Sequence, residues 1–233
     1  MGTMTKYRII VVDPPWTFGD SLDNRKVQRG ASAHYDTLSL QRLADLWLGP
    51  ELADRDSLLA LWCPAAMLRE GLEVMHRWGF IYKQVWMWLK VAGKQTVEPE
   101  MARHMHERHG ARTTVYPQGI HKDLALAFGM GRLARSCKEL VLVGTRGQIY
   151  KHLAVHNERD VFMAQATKHS TKPEALQDQL DRMFPEAEKL ELFARRDRPG
   201  WTCTGLECPS TLGEDVRVTV ERLKAEEVKT KES

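Results

Sequence analysis

Very little in this chain would place it outside the cell or in a membrane. There is no C-x-x-C pair: the four cysteines, Cys63, Cys137, Cys203 and Cys208, are scattered. That pattern reads as free thiols in a reducing compartment, not as a disulfide framework. No apolar run approaches the roughly 20 residues of a membrane span. The N-terminus lacks the charged-then-apolar pattern of a secretory signal. Met1-Gly2 opens like a myristoylation site, but Lys6 stands where serine or threonine is wanted. No internal repeat is visible. Neither sign of charge dominates, and the net charge of +3 permits a nucleic-acid partner without demanding one. These absences point to a cytoplasmic chain with no membrane partner. What is present, 42% hydrophobic residues in a length of 233, suffices for the core of one large α/β domain or at most two small ones.

The densest local signal is YRIIVVDPPW, Tyr7 to Trp16. Ile9 to Val12 form an apolar, β-branched run that reads as a buried strand. The strand delivers Asp13 at its tip. A residue before proline is pushed toward extended geometry, and Pro14 and Pro15 hold φ at about −65° and carry no N–H. The segment is therefore stiff and presents a carboxylate and carbonyl oxygens. That acceptor surface suits an amino group with two hydrogens to donate. Trp16 adds a flat face able to stack on a planar base. Together these residues suggest a pocket for an aromatic ring with an exocyclic amine, such as adenine. A strand end followed by a proline turn is the plainer alternative, and it explains Asp-Pro alone better than it explains all four residues.

Further along, Leu58 to Trp62 reads as a second buried strand. Pro64 then suits the first turn of a helix that Gly79 would end at its C′ position, with Leu68, Leu72, Val74 and Met75 as the apolar face. Tyr82 to Lys90, Glu139 to Thr145, Asp160 to Gln165 and Lys189 to Phe193 read as strands, and Trp201 to Thr204 begins another. Thr171-Lys172-Pro173-Glu174 has the pattern of a capping box opening a helix, with Leu176, Leu180, Met183 and Phe184 as its buried stripe. Strands alternating with helices at crossover spacing argue for a mostly parallel sheet flanked by helices. Ligands in such sheets bind beyond the carboxyl ends of the strands, where Asp13 and Arg195 both fall. Two long polar stretches, 17–38 and 92–128, break this rhythm and read as functional or disordered loops. The charge-rich end after Glu221 reads as a frayed helix or tail.

Four segments carry a resemblance. They are the strand ending in Asp13-Pro14-Pro15-Trp16, then HYDTLSLQRL, FGMGRLARSCKELVLVGTRG and HSTKPEALQDQLDRMFPEAEKLELFARRDRPGW. In this order they resemble motif IV, the Tyr-Pro-Thr-Met-Ser segment, the approach to the antiparallel strand and the cofactor-binding end of the MT-A70 family. That family comprises N6-adenine methyltransferases that use S-adenosylmethionine, and the likeness runs over most of residues 7 to 207. It implies an α/β, Rossmann-like methyltransferase fold in circularly permuted (beta-class) order, with the catalytic strand first and the cofactor strand last. A Gly-rich loop is missing after the first strand, which counts against an ordinary dinucleotide-binding fold. It is expected if ELFARR is a degenerate cofactor turn.

The resemblance also assigns roles. Asp13, Pro14, Pro15 and Trp16 become the catalytic segment, with Asp13 also beside the cofactor. Lys172 would reach the methionine carboxylate of S-adenosylmethionine. Its plain alternative is a solvated lysine, although a cation at a helix start is poorly placed for the helix dipole. Phe193, Arg195 and Asp197 match positions lining the cofactor; Phe193 reads equally well as core. Leu206-Glu207 falls where the family usually carries a polar pair on the ribose hydroxyls, and a carboxylate is a common acceptor for that diol. Arg25, Lys26, Arg29, Arg132 and Arg135 are candidates for nucleic-acid phosphates, with a solvated loop as the even alternative. His104, His106 and His109 do not converge on one helical face, so no metal is expected.

The expected organisation is one methyltransferase domain over 1–213, with 92–128 as an insertion or target-recognition loop and 214–233 as a charged extension. The expected function is methyl transfer from S-adenosylmethionine to N6 of adenine in DNA, by an enzyme of bacterial or phage type. RNA methylation and a non-catalytic nucleic-acid-binding role are the alternatives. A homo-oligomer is left open.

Overall fold

The computed structural model of the protein describes residues 6–16, 40–46, 48–49, 51–91, 126–127, 133–165 and 171–232. In chain order the elements are β1 (Tyr7–Val12), α1 (Leu40–Ala44), β2 (Ala53–Cys63), α2 (Leu68–Arg77), β3 (Ile81–Val91), β4 (Lys138–Arg146), β5 (Val161–Gln165), α3 (Ala175–Met183), β6 (Lys189–Leu192), β7 (Thr202–Thr204) and α4 (Val216–Glu232). The strands are hydrogen-bonded in the order β5-β3-β4-β2-β1-β6-β7. The β1–β2, β1–β6, β6–β7 and β3–β5 pairs are parallel, and β2–β4 is antiparallel. This is the mostly parallel α/β sheet that the alternation of elements implies, with its antiparallel strand in the segment expected to hold it.

The chain packs as two compact units. One comprises Met1–Trp86, Leu140–Asn157 and Leu180–Ser233, the other Met87–Glu139 and Glu158–Gln179. In the first unit β1 lies between β2 and β6, so both of its edges are paired, and side chains on both of its faces are buried. Ile9, Ile10, Val11 and Val12 are accordingly fully buried, which is why the strand is continuously apolar and not alternating. Ile10, Val12, Leu59, Leu61, Leu142, Leu190 and Leu192 share one core with Val74, Met75 and Trp78 of the α2 segment. Each such side chain contributes roughly 1.5–3 kcal/mol by leaving water.

Several boundaries differ from the sequence reading. β2 starts at Ala53, ahead of Leu58. Its polar opening, Asp54 to Asp56, spans the register shift between the Tyr7–Ala53 and Ile9–Leu58 pairs, where the Asp56 N–H donates to Asp54 Oδ1 at 2.9 Å, and hydrophobic pattern does not register it. The helix after Pro64 begins as a short 3-10 turn, Ala65–Met67. The buried face of α2 centres on Gly71, Val74 and Met75, while Leu68 is exposed and Leu72 only half-buried. Gly79 ends the helix as expected, with φ of 77° and its N–H donating to the His76 carbonyl at 2.9 Å. In α3 the expected stripe holds for Leu176 and Leu180, and for Phe184 just beyond, while Met183 is half-buried.

The C-terminal extension is helical, and its first turns are not a free tail. Asp215 caps α4 by accepting from the Arg217 N–H at 2.8 Å. Val216 and Val220 join the core of the first unit. In the second unit Met87 to Val91 of β3 pair with Val161 to Gln165 of β5. The Trp88 indole N–H donates to the Ala164 carbonyl at 3.0 Å across that pair. Of the stretch 92–128, only Leu126 and Ala127 lie within the described residues, where Leu126 bridges Val91 and the Ala127 N–H donates to the Lys90 carbonyl at 2.8 Å. The reading of that stretch as a recognition loop otherwise falls outside them.

Candidate active site

Parallel register brings the carboxyl ends of three strands of the first unit level. Val12 of β1 pairs with Leu192 of β6, which pairs with Thr204 of β7. The residues that follow each strand therefore emerge along one edge: Asp13 after β1, Phe193 to Asp197 after β6, and Leu206-Glu207 after β7. The Asp13 N–H donates to the Leu192 carbonyl at 3.3 Å, tying the aspartate's backbone to the end of β6. The aspartate is half-buried.

The proline segment is more engaged than its composition suggests. The Trp16 N–H donates to the Pro14 carbonyl at 2.9 Å, so one of that oxygen's two lone pairs is occupied. Trp16 itself is buried in the core cluster, 6% exposed, and its indole N–H donates to the Trp62 carbonyl at 2.9 Å. The ring therefore anchors the segment to the end of β2 and does not stand out as an open stacking face. Bonds of the indole and the backbone together fix Asp13 from its C-terminal side.

Phe193 leaves β6 with φ of 62°. For an aromatic residue that is a left-handed outlier, the sort of strain that persists where the surroundings over-determine it and that clusters at functional turns. Its half-buried ring packs against the core. Arg195 approaches Glu207, Nε to Oε2 3.8 Å, with side chains 28% and 40% exposed, so this ion pair is open to solvent and weak by itself. Leu206 is 54% exposed. The loop between β6 and β7 is pinned from below by Asp181 of α3, which accepts from the Arg198 guanidinium at 2.8 Å and from the Trp201 indole at 3.0 Å. Asp197 points its carboxylate at the Cys208 thiol, 3.2 Å away.

Lys172 belongs to the second unit. Its ammonium lies 3.3 Å from Glu139 Oε2, and Lys90 holds the other oxygen of the same carboxylate while its ammonium sits 4.8 Å from the centre of the Trp88 ring. Burial works to raise the Glu139 carboxyl, but the Lys172 charge and the Lys90 hydrogen bond outweigh it and hold the group below the ordinary glutamate value. Both ammonium groups thus converge on one carboxylate within the second unit. The stability this carboxylate contributes is complete above the unfolded glutamate pKa of about 4.3 and is lost as pH falls through the lower folded value. Replacing Glu139 by glutamine is therefore expected to cost about 1–3 kcal/mol at neutral pH, because it leaves two partly buried ammonium groups facing each other. Urea unfolding at a series of pH values checks this: the gap between the two proteins should be constant above the unfolded glutamate value and narrow as pH falls through the lower folded value.

Arg135 is exposed, and Arg25, Lys26, Arg29 and Arg132 lie outside the described residues. So do His104, His106 and His109; among the described residues no cluster of His, Cys, Asp or Glu has a metal-binding arrangement, and no helix is long and apolar enough to cross a membrane. All four cysteines are free thiols. Burial pushes the Cys63 and Cys203 thiols up to about 12, so they stay protonated and unreactive at neutral pH. The sequence reading missed Glu139, Lys90 and Cys208. Glu139 was visible as an acid opening an apolar strand, but its partners lie 49 and 33 residues away along the chain, where no local pattern reaches.

A family model, MT-A70, matches residues 7–116 and 117–207. The chain is 29% identical over 218 residues to the type II methyltransferase M.MunI of a Mycoplasma species, covering 88% of this chain and 78% of that protein. It is 26% identical over 207 residues to the human N(6)-adenine-specific methyltransferase METTL4, covering 86% of this chain and 37% of the relative. To the human N(6)-adenosine-methyltransferase catalytic subunit METTL3 it is 24% identical over 202 residues, again 86% of this chain but 28% of the relative. The chain thus spans well under half the length of the two human proteins. The sheet order, the acid at the end of β1 and the family match agree: the protein has an α/β, Rossmann-like methyltransferase fold and belongs to the MT-A70 family.

Proposed function

We propose that this protein transfers a methyl group from S-adenosylmethionine to N6 of adenine in DNA. The observation that carries the reading is the alignment of Asp13 with the β6 and β7 turns along one strand edge, stitched by the Asp13 N–H to the Leu192 carbonyl. The donor set fits the cofactor's chemistry. Carboxylates suit a sulfonium and a ribose diol, and Phe193 and the exposed Leu206 suit a base; Lys172 is assigned to the methionine carboxylate on the family resemblance alone. Bound S-adenosylmethionine would supply an electrophilic methyl group.

The chain's own residues would do the rest. The adenine N6 lone pair is delocalised into the ring and is a poor nucleophile. Acceptance of its two hydrogens by the Asp13 carboxylate and the Pro14 carbonyl concentrates density on nitrogen, and the attraction grows as positive charge develops. Asp13 or water then takes the proton. The indole and backbone bonds of Trp16 keep the two acceptors in place, which lowers the cost of orientation. In a duplex the target base must leave the stack to reach them. Arg25, Lys26, Arg29, Arg132 and Arg135 are proposed to meet phosphates, and 92–128 to select the target.

DNA is preferred because M.MunI, of which the chain covers most, is a type II methyltransferase. RNA remains the second reading because relatives at lower identity are named adenosine methyltransferases. Mass spectrometry of nucleosides from DNA and RNA of cells expressing the protein separates them. N6-methyl-2′-deoxyadenosine is expected to accumulate in DNA. Enrichment of N6-methyladenosine in RNA alone would reverse the choice, and neither product would remove the enzyme reading.

A further inference from the structure

Beyond its loose pair with Arg195, Glu207 takes its place from the turn that carries it. That turn, 205–211, is internally tight. The Gly205 N–H donates to the Thr211 hydroxyl oxygen at 3.0 Å, the same hydroxyl donates to the Gly205 carbonyl at 3.2 Å, and the Cys208 and Thr211 N–H groups donate to the Gly205 and Cys208 carbonyls. A tight turn can still swing as a body about its attachment to β7. It is held to the neighbouring 195–198 loop by a hydrogen bond from the fully buried Cys208 S–H to Asp197 Oδ1 at 3.2 Å, together with hydrogen bonds from Ser210 to the same carboxylate and the looser Arg195–Glu207 pair. The Ser210 hydroxyl stands beside it, 3.5 Å from the Cys208 sulfur and 3.2 Å from the Cys203 carbonyl.

We infer that Asp197 and Cys208 are positioning residues: their hydrogen bond locks the turn bearing Glu207 against the loop bearing Arg195, so that the Glu207 carboxylate is held ready for the ribose diol of the cofactor. The pair lies within the first unit and acts through Glu207, not on the ligand itself. Two further features suit this role. Hydrogen bonds from Ser210 and Cys208 hold the Asp197 carboxyl below its ordinary range, and burial pushes the Cys208 thiol up. At neutral pH the acceptor is therefore charged and the donor keeps its proton, which makes the bond charge-assisted. Asp197 is exposed, so its substitution removes the bond without opening a cavity.

The inference rests on the cofactor reading above, and calorimetry with two ligands separates the two. S-adenosylhomocysteine tests the whole site, and its 2′,3′-dideoxy analogue lacks the groups Glu207 would hold. Asp197→Ala is expected to weaken S-adenosylhomocysteine about tenfold and the dideoxy analogue less than twofold. Cys208→Ala should show the same preference for the diol-bearing ligand with a smaller loss, because Ser210 still bonds Asp197; the double variant should be no worse than Asp197→Ala, and Asp197→Asn, which keeps an acceptor oxygen, should recover most of the loss. In turnover the Asp197→Ala change should appear in KM for the cofactor, with kcat nearly unchanged. Equal loss for both ligands would assign the pair a general structural role and overturn the inference, as would no loss for either. Failure of the unaltered protein to bind S-adenosylhomocysteine would overturn the cofactor reading and this inference with it.

Discussion

Asp13→Ala is expected to reduce methylation by a factor on the order of 10²–10⁴ while leaving the fold and most cofactor affinity in place. The side chain is half-buried at the tip of β1, and the backbone contacts that hold the segment do not pass through it. They are the Asp13 N–H to the Leu192 carbonyl, the Trp16 N–H to the Pro14 carbonyl and the Trp16 indole to the Trp62 carbonyl. What is lost is the acceptor facing the amine, whose attraction is greatest in the transition state. The loss should therefore fall on kcat and kcat/KM together, with KM for the cofactor little changed. Single-turnover kinetics beside calorimetry of S-adenosylhomocysteine make the measurement. Turnover within tenfold of the unaltered protein would remove Asp13 from the chemistry and leave the proline segment as a turn.

The second large effect is expected at Gly205. A Cβ there would stand 2.2 Å from the Ala194 carbonyl oxygen, 2.8 Å from the Ala194 nitrogen and 2.9 Å from the Phe193 carbonyl carbon. All three are backbone atoms, and none can swing aside as the end of a side chain would. The strand rung beside them, the Ala194 N–H to the Thr204 carbonyl at 2.9 Å, would have to open. Phe193 already sits at φ of 62°, so the turn has little slack to absorb the shift. Gly205→Ala is therefore expected to cost about 3 kcal/mol and to weaken S-adenosylhomocysteine by tenfold or more, because Arg195 and Glu207 flank the point of contact. Leu206→Ala is the control: the side chain is 54% exposed, and its loss should change stability by no more than about 0.5 kcal/mol. Urea unfolding of both variants tests the contrast in stability, and calorimetry of Gly205→Ala against the unaltered protein tests the binding. Equal stability of both with the unaltered protein would mean that the two turns do not approach as closely as described.

The same edge of the sheet shows where sequence suffices and where it stops. Tyr7 to Trp16 and the ELFARR run were legible because each is local. A buried parallel strand needs a continuous apolar run, and an acid followed by two prolines is stiff whatever surrounds it. With the alternation of strands and helices those two features gave the α/β class and the placing of Asp13 and Arg195 at strand ends, and with two further segments in the same order they gave the family resemblance. Packing then decided what those side chains are free to do. Trp16 reads as an exposed stacking face, yet the end of β2 offers its indole a carbonyl and a core, so it is buried. Phe193 reads as the last residue of a strand, yet the approach of Gly205 to the Ala194 backbone coincides with its turn into left-handed geometry. Lys172 reads as a lone cation at a helix start, yet β3 and β4 bring Lys90 and Glu139 to it from far along the chain. Asp197 and Cys208 carried no joint signal, being joined only where two turns meet. Sequence by itself determined the elements and the chemistry available at their ends, because hydrophobic period and proline geometry act over a few residues. Only the tertiary structure decided which donors and acceptors are already satisfied and which remain for a ligand, because hydrogen bonds and ion pairs between distant segments depend on distances that the fold alone sets.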